Sequence, residues 1–269
     1  MTKTVLVTGA SAGIGKATAI YLAQNGYNVY GAARRTDKME DLKSFGIKPI
    51  ALDVTKKESM SACAEQILKE AGSIDILVNS AGFGSAGAIE DLPMEDARYQ
   101  LEVNVFGAQQ LTRLVLPKMR ENKFGKIVNI SSIGGKIAFP LNGWYHASKF
   151  ALEALSDSLR MEVKQFGIDV IVIEPGGIKS EWGDIANDNM KRISGKTAYK
   201  EMVESAQRAT ANLKLPEPIV IAKLIKSSIE ARNPKTRYVG GFSAKPFLMI
   251  RKLLSDKLMD KLIMSQMKK

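Results

Sequence analysis

Tyr145 and Lys149 stand four residues apart, so on an α-helix they share one face, one turn from each other. An ammonium held there favours the phenolate and lowers a tyrosine pKa that starts near ~10. A tyrosine tuned this way can donate or accept a proton near neutral pH. Ser132 lies upstream, at the end of the apolar run Lys126-Ile-Val-Asn-Ile-Ser-Ser132, which reads as a buried strand. A hydroxyl at the carboxyl end of a strand can hydrogen-bond a substrate oxygen beside the tyrosine. Chance supplies roughly one Tyr-x-x-x-Lys in a chain this rich in lysine, and the bland reading is a surface pair on a helix. None of the other six tyrosines has a lysine four residues on. The weight therefore falls on the elements that would position the pair.

Residues 3–8 are a short β-branched apolar run, followed by Gly9-Ala-Ser-Ala-Gly13-Ile-Gly15 and then apolar residues at helical spacing. Strand, glycine-rich turn and helix is the context that a dinucleotide-phosphate loop requires. The glycines let the backbone approach a pyrophosphate, whose charge meets the helix amino terminus. A second strand, Asn28–Ala33, ends in Arg34-Arg35. An acidic residue there would bond a ribose 2′-hydroxyl; two arginines favour the 2′-phosphate, hence NADP(H) over NAD.

A helix over Asp37–Phe45, a strand over Lys48–Val54, a helix over Lys56–Ala71 and a strand over Ile74–Asn79 follow. This alternation predicts right-handed βαβ units and a parallel sheet covered on both faces, in a single domain. Asn79-Ser-Ala81-Gly82 closes the fourth strand with small residues that allow close approach of a flat ring, and a loop runs from Phe83 to Pro93. Two helices follow, meeting at Asn104-Val105, where Asn104 reads either as a helix junction or as a polar group serving the site. The helix carrying Tyr145 is expected to reach about Phe166, and a sixth strand spans Ile168–Ile173. Trp182–Met190 reads as a mobile lid, with helices over Ala198–Asn212 and Pro218–Ala231 and a short last strand at Arg237–Gly240. The tail from Lys245 places Phe247, Ile250, Leu254, Leu258, Leu262 and Met267 mostly on one stripe. It is expected to pack on the body or on another subunit, with an interfacial membrane helix as the alternative.

The bulk numbers bound the function classes. The 269 residues are 45% hydrophobic and 25% charged, an ordinary globular composition. The one cysteine, Cys63, excludes an intrachain disulfide framework and suits a reducing, cytoplasmic setting. The one histidine, His146, cannot build a His-rich metal site and reads as a packing neighbour, so no metal is expected. No apolar run approaches the ~18 residues of a membrane span, and no signal peptide is seen at the amino terminus. A net charge of +11 raises the question of nucleic acid, but the lysines are dispersed and no nucleic-acid motif accompanies them.

Together these segments resemble the single-domain branch of the short-chain dehydrogenase/reductase family, over roughly residues 3–180. The resemblance implies a Rossmann-like, doubly wound parallel sheet of about seven strands. It implies that Gly9, Ser11, Gly13, Ile14 and Gly15 hold the cofactor phosphates, with Arg34 and Arg35 at the 2′-phosphate and Asp53-Val54 at the adenine. Asn79, Ala81 and Gly82 match the fourth-strand motif, with Ser80 where many members carry a second Asn. Pro175, Gly176 and Ile178 match the segment touching the nicotinamide carboxamide, and Ser180 stands nearest the threonine that often follows. Asn104, Ser132, Tyr145 and Lys149 match the catalytic tetrad, with serine and tyrosine at the family's usual separation. Tyr145 would exchange the proton, Lys149 would lower its pKa and bond the nicotinamide ribose, Ser132 would orient the substrate oxygen, and Asn104 would support a proton path through water. The implied function is hydride transfer between NADP(H) and a carbonyl or secondary alcohol, with an apolar ketone as substrate (steroid-, lipid- or xenobiotic-like). Phe83, Leu141, Trp144, Ile178 and Trp182 are the candidate pocket residues, and a homo-oligomer is implied through the long helices after Pro93 and near Tyr145. A catalytically silent NADP-binding sensor or scaffold is the alternative; it predicts damage in the tetrad, and all four positions are intact.

Overall fold

Val5 and Val7 turn to one face of the first strand and Leu6 to the other, and all three are fully buried. A strand apolar on both sides needs a helical layer over each face, as a parallel sheet provides. The computed structural model describes residues 2–267. Its seven strands are β1 (Thr4–Thr8), β2 (Asn28–Ala33), β3 (Lys48–Ala51), β4 (Ile76–Asn79), β5 (Gly125–Ile130), β6 (Ile168–Pro175) and β7 (Arg237–Gly240). All pair in parallel, in the order β3-β2-β1-β4-β5-β6-β7. The helices are α1 (Gly13–Gln24), α2 (Lys57–Ala71), α3 (Met94–Leu101), α4 (Ala108–Glu121), α5 (Gly143–Val163), α6 (Glu181–Ser194), α7 (Lys200–Ala211), α8 (Ile219–Glu230), α9 (Ala244–Leu253) and α10 (Asp256–Gln266).

One core layer sets Val5, Val78, Val128 and Ile171 against α1 and α8; the other sets Leu6, Leu77, Ile127 and Val170 against α2 and α4. The order in which strands are added reverses between β1 and β4, which opens a crevice at the carboxyl ends of the strands. Gly9, Arg34, Asp53, Gly82, Ser132 and Gly176 all follow strand ends on that edge.

Several expected elements take a different form. Asp37–Phe45 is a 3₁₀ helix rather than an α-helix. β3 stops at Ala51, so Asp53 and Val54 lie in the turn beyond it, and β6 runs two residues further than expected, to Pro175. Ser132 stands past the end of β5 and caps a short 3₁₀ turn, its hydroxyl accepting from the Gly134 N–H. The lid segment is the regular helix α6, whose Ala186 and Met190 pack with Ala86, Leu141 and Val203 into a small core of their own. The tail is not one helix but two, broken at Leu254-Ser255. Its inward residues are Met259 and Ile263, packed with Phe247 and Leu262 against Ile137 and Phe139, whereas Leu258 faces out, 51% exposed. No helix among the described residues is long and apolar enough to cross a membrane.

Candidate active site

Tyr145 and Lys149 lie on the first turns of α5, facing the end of β5. The ring of Tyr145 packs against Trp182 at a centroid distance of 5.0 Å and against His146 at 5.6 Å. Burial pushes its phenol above the ordinary value, while a hydrogen bond with Ser132 pulls the other way. The Ser132 hydroxyl therefore sits where one substrate oxygen could meet it and the phenol together. The Lys149 ammonium donates to the Ile130 carbonyl at 2.9 Å and lies 5.8 Å from the Tyr145 ring centroid. Burial lowers its pKa to about 8, against the opposing charge of Glu153. Lys149 is anchored to the end of β5, with its ammonium beside Gly82, where a Cβ would lie 3.7 Å from it.

Asn104 occupies a π-helical turn, Glu102–Gly107, between α3 and α4. An extra residue in the turn swings its side chain inward. Its Oδ1 accepts from the Phe83 N–H at 2.9 Å, and its Nδ2 donates to the Phe83 carbonyl at 2.9 Å and to the Ser148 hydroxyl at 3.0 Å. Asn104 is thus the expected helix junction, and that junction pins the loop after β4 to α5 beside Lys149. His146 is a brace of the same kind. The Phe139 N–H donates to its Nε2 at 2.9 Å, so Nδ1 carries the proton and donates to the Gly134 carbonyl at 2.9 Å.

The residues present fit a dinucleotide. Gly9 and Gly13 have φ of +70° and +54°, and a Cβ on Gly15 would lie 2.3 Å from the Gly9 carbonyl oxygen, so this backbone demands glycine at all three positions. Ala12 caps α1 without a side-chain hydrogen bond and no acidic residue occupies the first turn, which leaves the helix N–H groups available to an anion. A cleft of about 790 Å³ opens there, lined by Ser11, Gly13, Lys16, Lys38, Ser180 and Glu181 among others. Thr8 ties the loop to β4, its hydroxyl accepting from the N–H groups of Ser80 at 3.0 Å and Ala81 at 2.9 Å. The two arginines diverge: Arg34 donates to the Tyr99 hydroxyl, and Arg35 to Ser11 at 3.2 Å and Glu181 at 3.1 Å. Burial opposes ionisation of Asp53, yet hydrogen bonds from Thr55 and the charges of Arg34 and Lys56 hold its carboxyl below the usual range.

A sequence model described as short chain dehydrogenase matches residues 3–191 of this chain. The chain belongs to that family. It is 35% identical over 262 residues to the 3-ketodihydrosphingosine reductase of Bacteroides thetaiotaomicron, covering 95% of this chain and 94% of that protein. It is 34% identical to the NADPH-dependent 3-dehydrocapnine reductase of Ornithobacterium rhinotracheale, over 98% of this chain and 97% of the relative. Among solved structures, a short-chain dehydrogenase from Streptomyces avermitilis superposes with a TM-score of 0.82 at 34% identity, covering 97% of this chain and 95% of the other. The chain is thus an oxidoreductase of the short-chain dehydrogenase family, with a fold that binds a nicotinamide dinucleotide.

Not every residue expected at this family's site reaches it. Asn79 is 4% exposed and its amide is spent on Thr112 and on Asn129, at 3.2 and 2.9 Å, so its side chain holds β4 to α4 and β5. Leu141 is 4% exposed and packs into the α6–α7 core, with a left-handed φ of 66°. The Phe83 ring turns toward Tyr99, 5.5 Å away, on the side of Arg34. Ile178 packs against the layer that contains α8. Trp182 does cover Tyr145, and Gly82 lies open beside Asn104 and Lys149. Trp144 is half-buried, and its indole N–H has no partner among the described residues. Sequence reasoning missed Gly84, where a Cβ would lie 2.5 Å from Trp182. It also missed the buried chain in which Asn129 donates to the Ser156 hydroxyl at 2.9 Å.

Proposed function

We propose that this protein is an NADP(H)-dependent reductase of an apolar ketone, acting reversibly on the corresponding secondary alcohol. The observation that carries the reading is the convergence of Ser132, Tyr145 and Lys149 on the crevice that the glycine loop enters. The dinucleotide supplies or receives the hydride when bound. Ser132 and Tyr145 hold the carbonyl oxygen, and Tyr145 donates its proton to that oxygen on reduction and removes it on oxidation. The Lys149 ammonium would hold the nicotinamide ribose of the bound dinucleotide and favours the phenolate through its charge. Asn104 keeps the Gly82-Phe83 turn and α5 in register around that ammonium. Arg34 and Arg35 favour a 2′-phosphate, and the NADPH dependence in the name of the Ornithobacterium relative agrees with them. Trp182, packed over Tyr145, gives the site an apolar wall, and both curated relatives named above are reductases by name.

The test is a panel of apolar ketones offered with NADPH, with oxidation followed at neutral pH. The expected result is turnover on at least one ketone, lost by on the order of 10² or more in Tyr145→Phe while NADPH binding persists. Near-normal turnover in that variant removes Tyr145 from its role. Cofactor binding with no turnover on any ketone favours the sensor reading instead.

A further inference from the structure

One turn beyond Lys149 on α5 stands Glu153, so Tyr145, Lys149 and Glu153 occupy successive turns of one helix face. Glu153 is 3% exposed, and Glu174, at the end of β6 just before Pro175, is 2% exposed. Arg237 of β7 serves both: its Nη2 lies 2.8 Å from Glu153 Oε2 and its Nε 3.2 Å from Glu174 Oε1. It also holds Asp157 at 2.7 Å, and Asp157 pairs in turn with Arg160. Lys136, just after β5, places its ammonium 2.9 Å from Glu153 Oε2. A Cβ on Gly135 would lie 2.9 Å from the Glu153 side chain and 3.2 Å from the Lys149 carbonyl, so this turn closes tightly over the pair.

Both carboxyl groups are held against the one Arg237 guanidinium, yet among the described residues the Oε1 atom of neither accepts a hydrogen bond. The Arg237 Nε stands at ion-pair distance from Glu174 Oε1 but outside hydrogen-bond geometry. Two ionised carboxylates are acceptors only, so they can bond each other only when one carries a proton. Burial and mutual repulsion both oppose ionising the second group.

We propose that Glu153 and Glu174 share one proton and act as a positioning pair for Lys149, the state of the pair setting how firmly the lysine is held as an ammonium. Burial, reinforced by the charge of Glu153, pushes the Glu174 carboxyl up to about 7, with Arg237 and Lys136 acting against it. Below that pH the pair carries one negative charge. Above it, the proton passes to solvent and a second charge appears behind Lys149. The Glu153 carboxylate already favours the ammonium against its burial, and the added charge favours it further. The groups facing the pair are Lys149 and Asp157 from α5, Lys136 from the turn after β5 and Arg237 from β7, with Arg160 acting through Asp157. The inference rests on the role given to Lys149 above, and its test is chosen to separate the two.

Infrared spectroscopy of the cofactor-free protein across pH reads the shared proton without any catalysis. The expected result is a protonated-carboxyl C=O band that disappears near pH 7 and is missing from Glu174→Gln. Lys136→Met, a change at a partly exposed side chain, should move that midpoint upward. Coupling to Lys149 is read from the pH dependence of NADPH binding by fluorescence, which needs no substrate. Loss of affinity on the alkaline side should move to lower pH by about one pH unit in Glu153→Gln, and by less in Glu174→Gln. Absence of the band overturns the shared proton. A band with binding profiles that superimpose on wild type overturns the coupling. A normal band and shifted profiles with no ketone reduced would sink the proposed reaction while leaving the pair intact.

Discussion

At Lys149 two demands on one side chain conflict. The proposed reaction needs an ammonium, and burial to 7% exposure disfavours one, lowering the pKa to about 8. The folded protein therefore gives up this proton well before the unfolded chain would. If the ammonium supports Tyr145 and bonds the ribose, kcat/KM for ketone reduction should fall as pH rises through about 8. Steady-state rates between pH 6 and 10 check this, and a profile flat through 9 would show that the charge of Lys149 is not required. Cofactor choice is also decided residue by residue. Arg34 and Arg35 diverge, with Tyr99 beside one and Glu181 and Ser11 beside the other, and each guanidinium keeps further N–H donors for a 2′-phosphate oxygen. Charge-assisted bonds of this kind are worth about 1.5–3 kcal/mol. Changing both arginines to Ala should therefore weaken NADPH by on the order of tenfold or more while leaving NADH within a few-fold. Equal losses for both dinucleotides, measured by fluorescence titration, would overturn the assignment.

At the scale of elements, the strands and the glycine turn were readable because a fully buried parallel strand and a phosphate loop each impose a local pattern. β2 and β7 fall on their expected boundaries, and α2 begins within one residue of its own. What was hidden lies between elements distant in sequence. Nothing local says that Asn79 would spend its amide on Asn129 and Thr112, because that pairing depends on which strands and helices become neighbours. The tail stripe was legible as amphipathic, but its break at Leu254-Ser255 rotates the second helix and brings Met259 rather than Leu258 inward. Gly84 and Trp182 are the sharpest case: 98 positions separate them in the sequence, yet one determines where the other can lie. A Cβ at position 84 would stand 2.5 Å from the indole, so Gly84→Val must displace Trp182 from Tyr145. The expected outcome is kcat/KM for ketone lowered roughly tenfold with NADPH affinity unchanged, since the glycine loop lies elsewhere. A matching loss of NADPH affinity would mean that α6 serves the cofactor cleft more than the substrate side.

For the whole molecule, the question is what covers the apolar surface that the fold leaves outside. The tail helices spend most of their apolar side on Ile137 and Phe139, and the aromatic series Phe247, Phe139, His146, Tyr145 carries that packing to the site wall. The tail still leaves Met249 and Leu253 exposed, and the π turn and α5 leave three more outside: Phe106 at 58%, Phe150 at 45% and Met161 at 70%. These three lie on the two long helical stretches expected to join subunits, and α5 is also the helix that carries Tyr145 and Lys149. Fully burying such a side chain stabilises by about 1.5–3 kcal/mol, so a few of them repeated by symmetry suffice to hold two copies together. The protein is expected to run as a dimer or tetramer in light scattering at micromolar concentration. Phe106→Glu with Phe150→Glu should give a monomer, because carboxylates buried without partners cost more than the contact returns. The monomer should also turn over more slowly, since α5 would lose the neighbour that steadies its outer face while its inner face holds the phenol. A wild-type protein that is monomeric at every concentration would refute this, and a dimer that survives both substitutions would move the interface to another face.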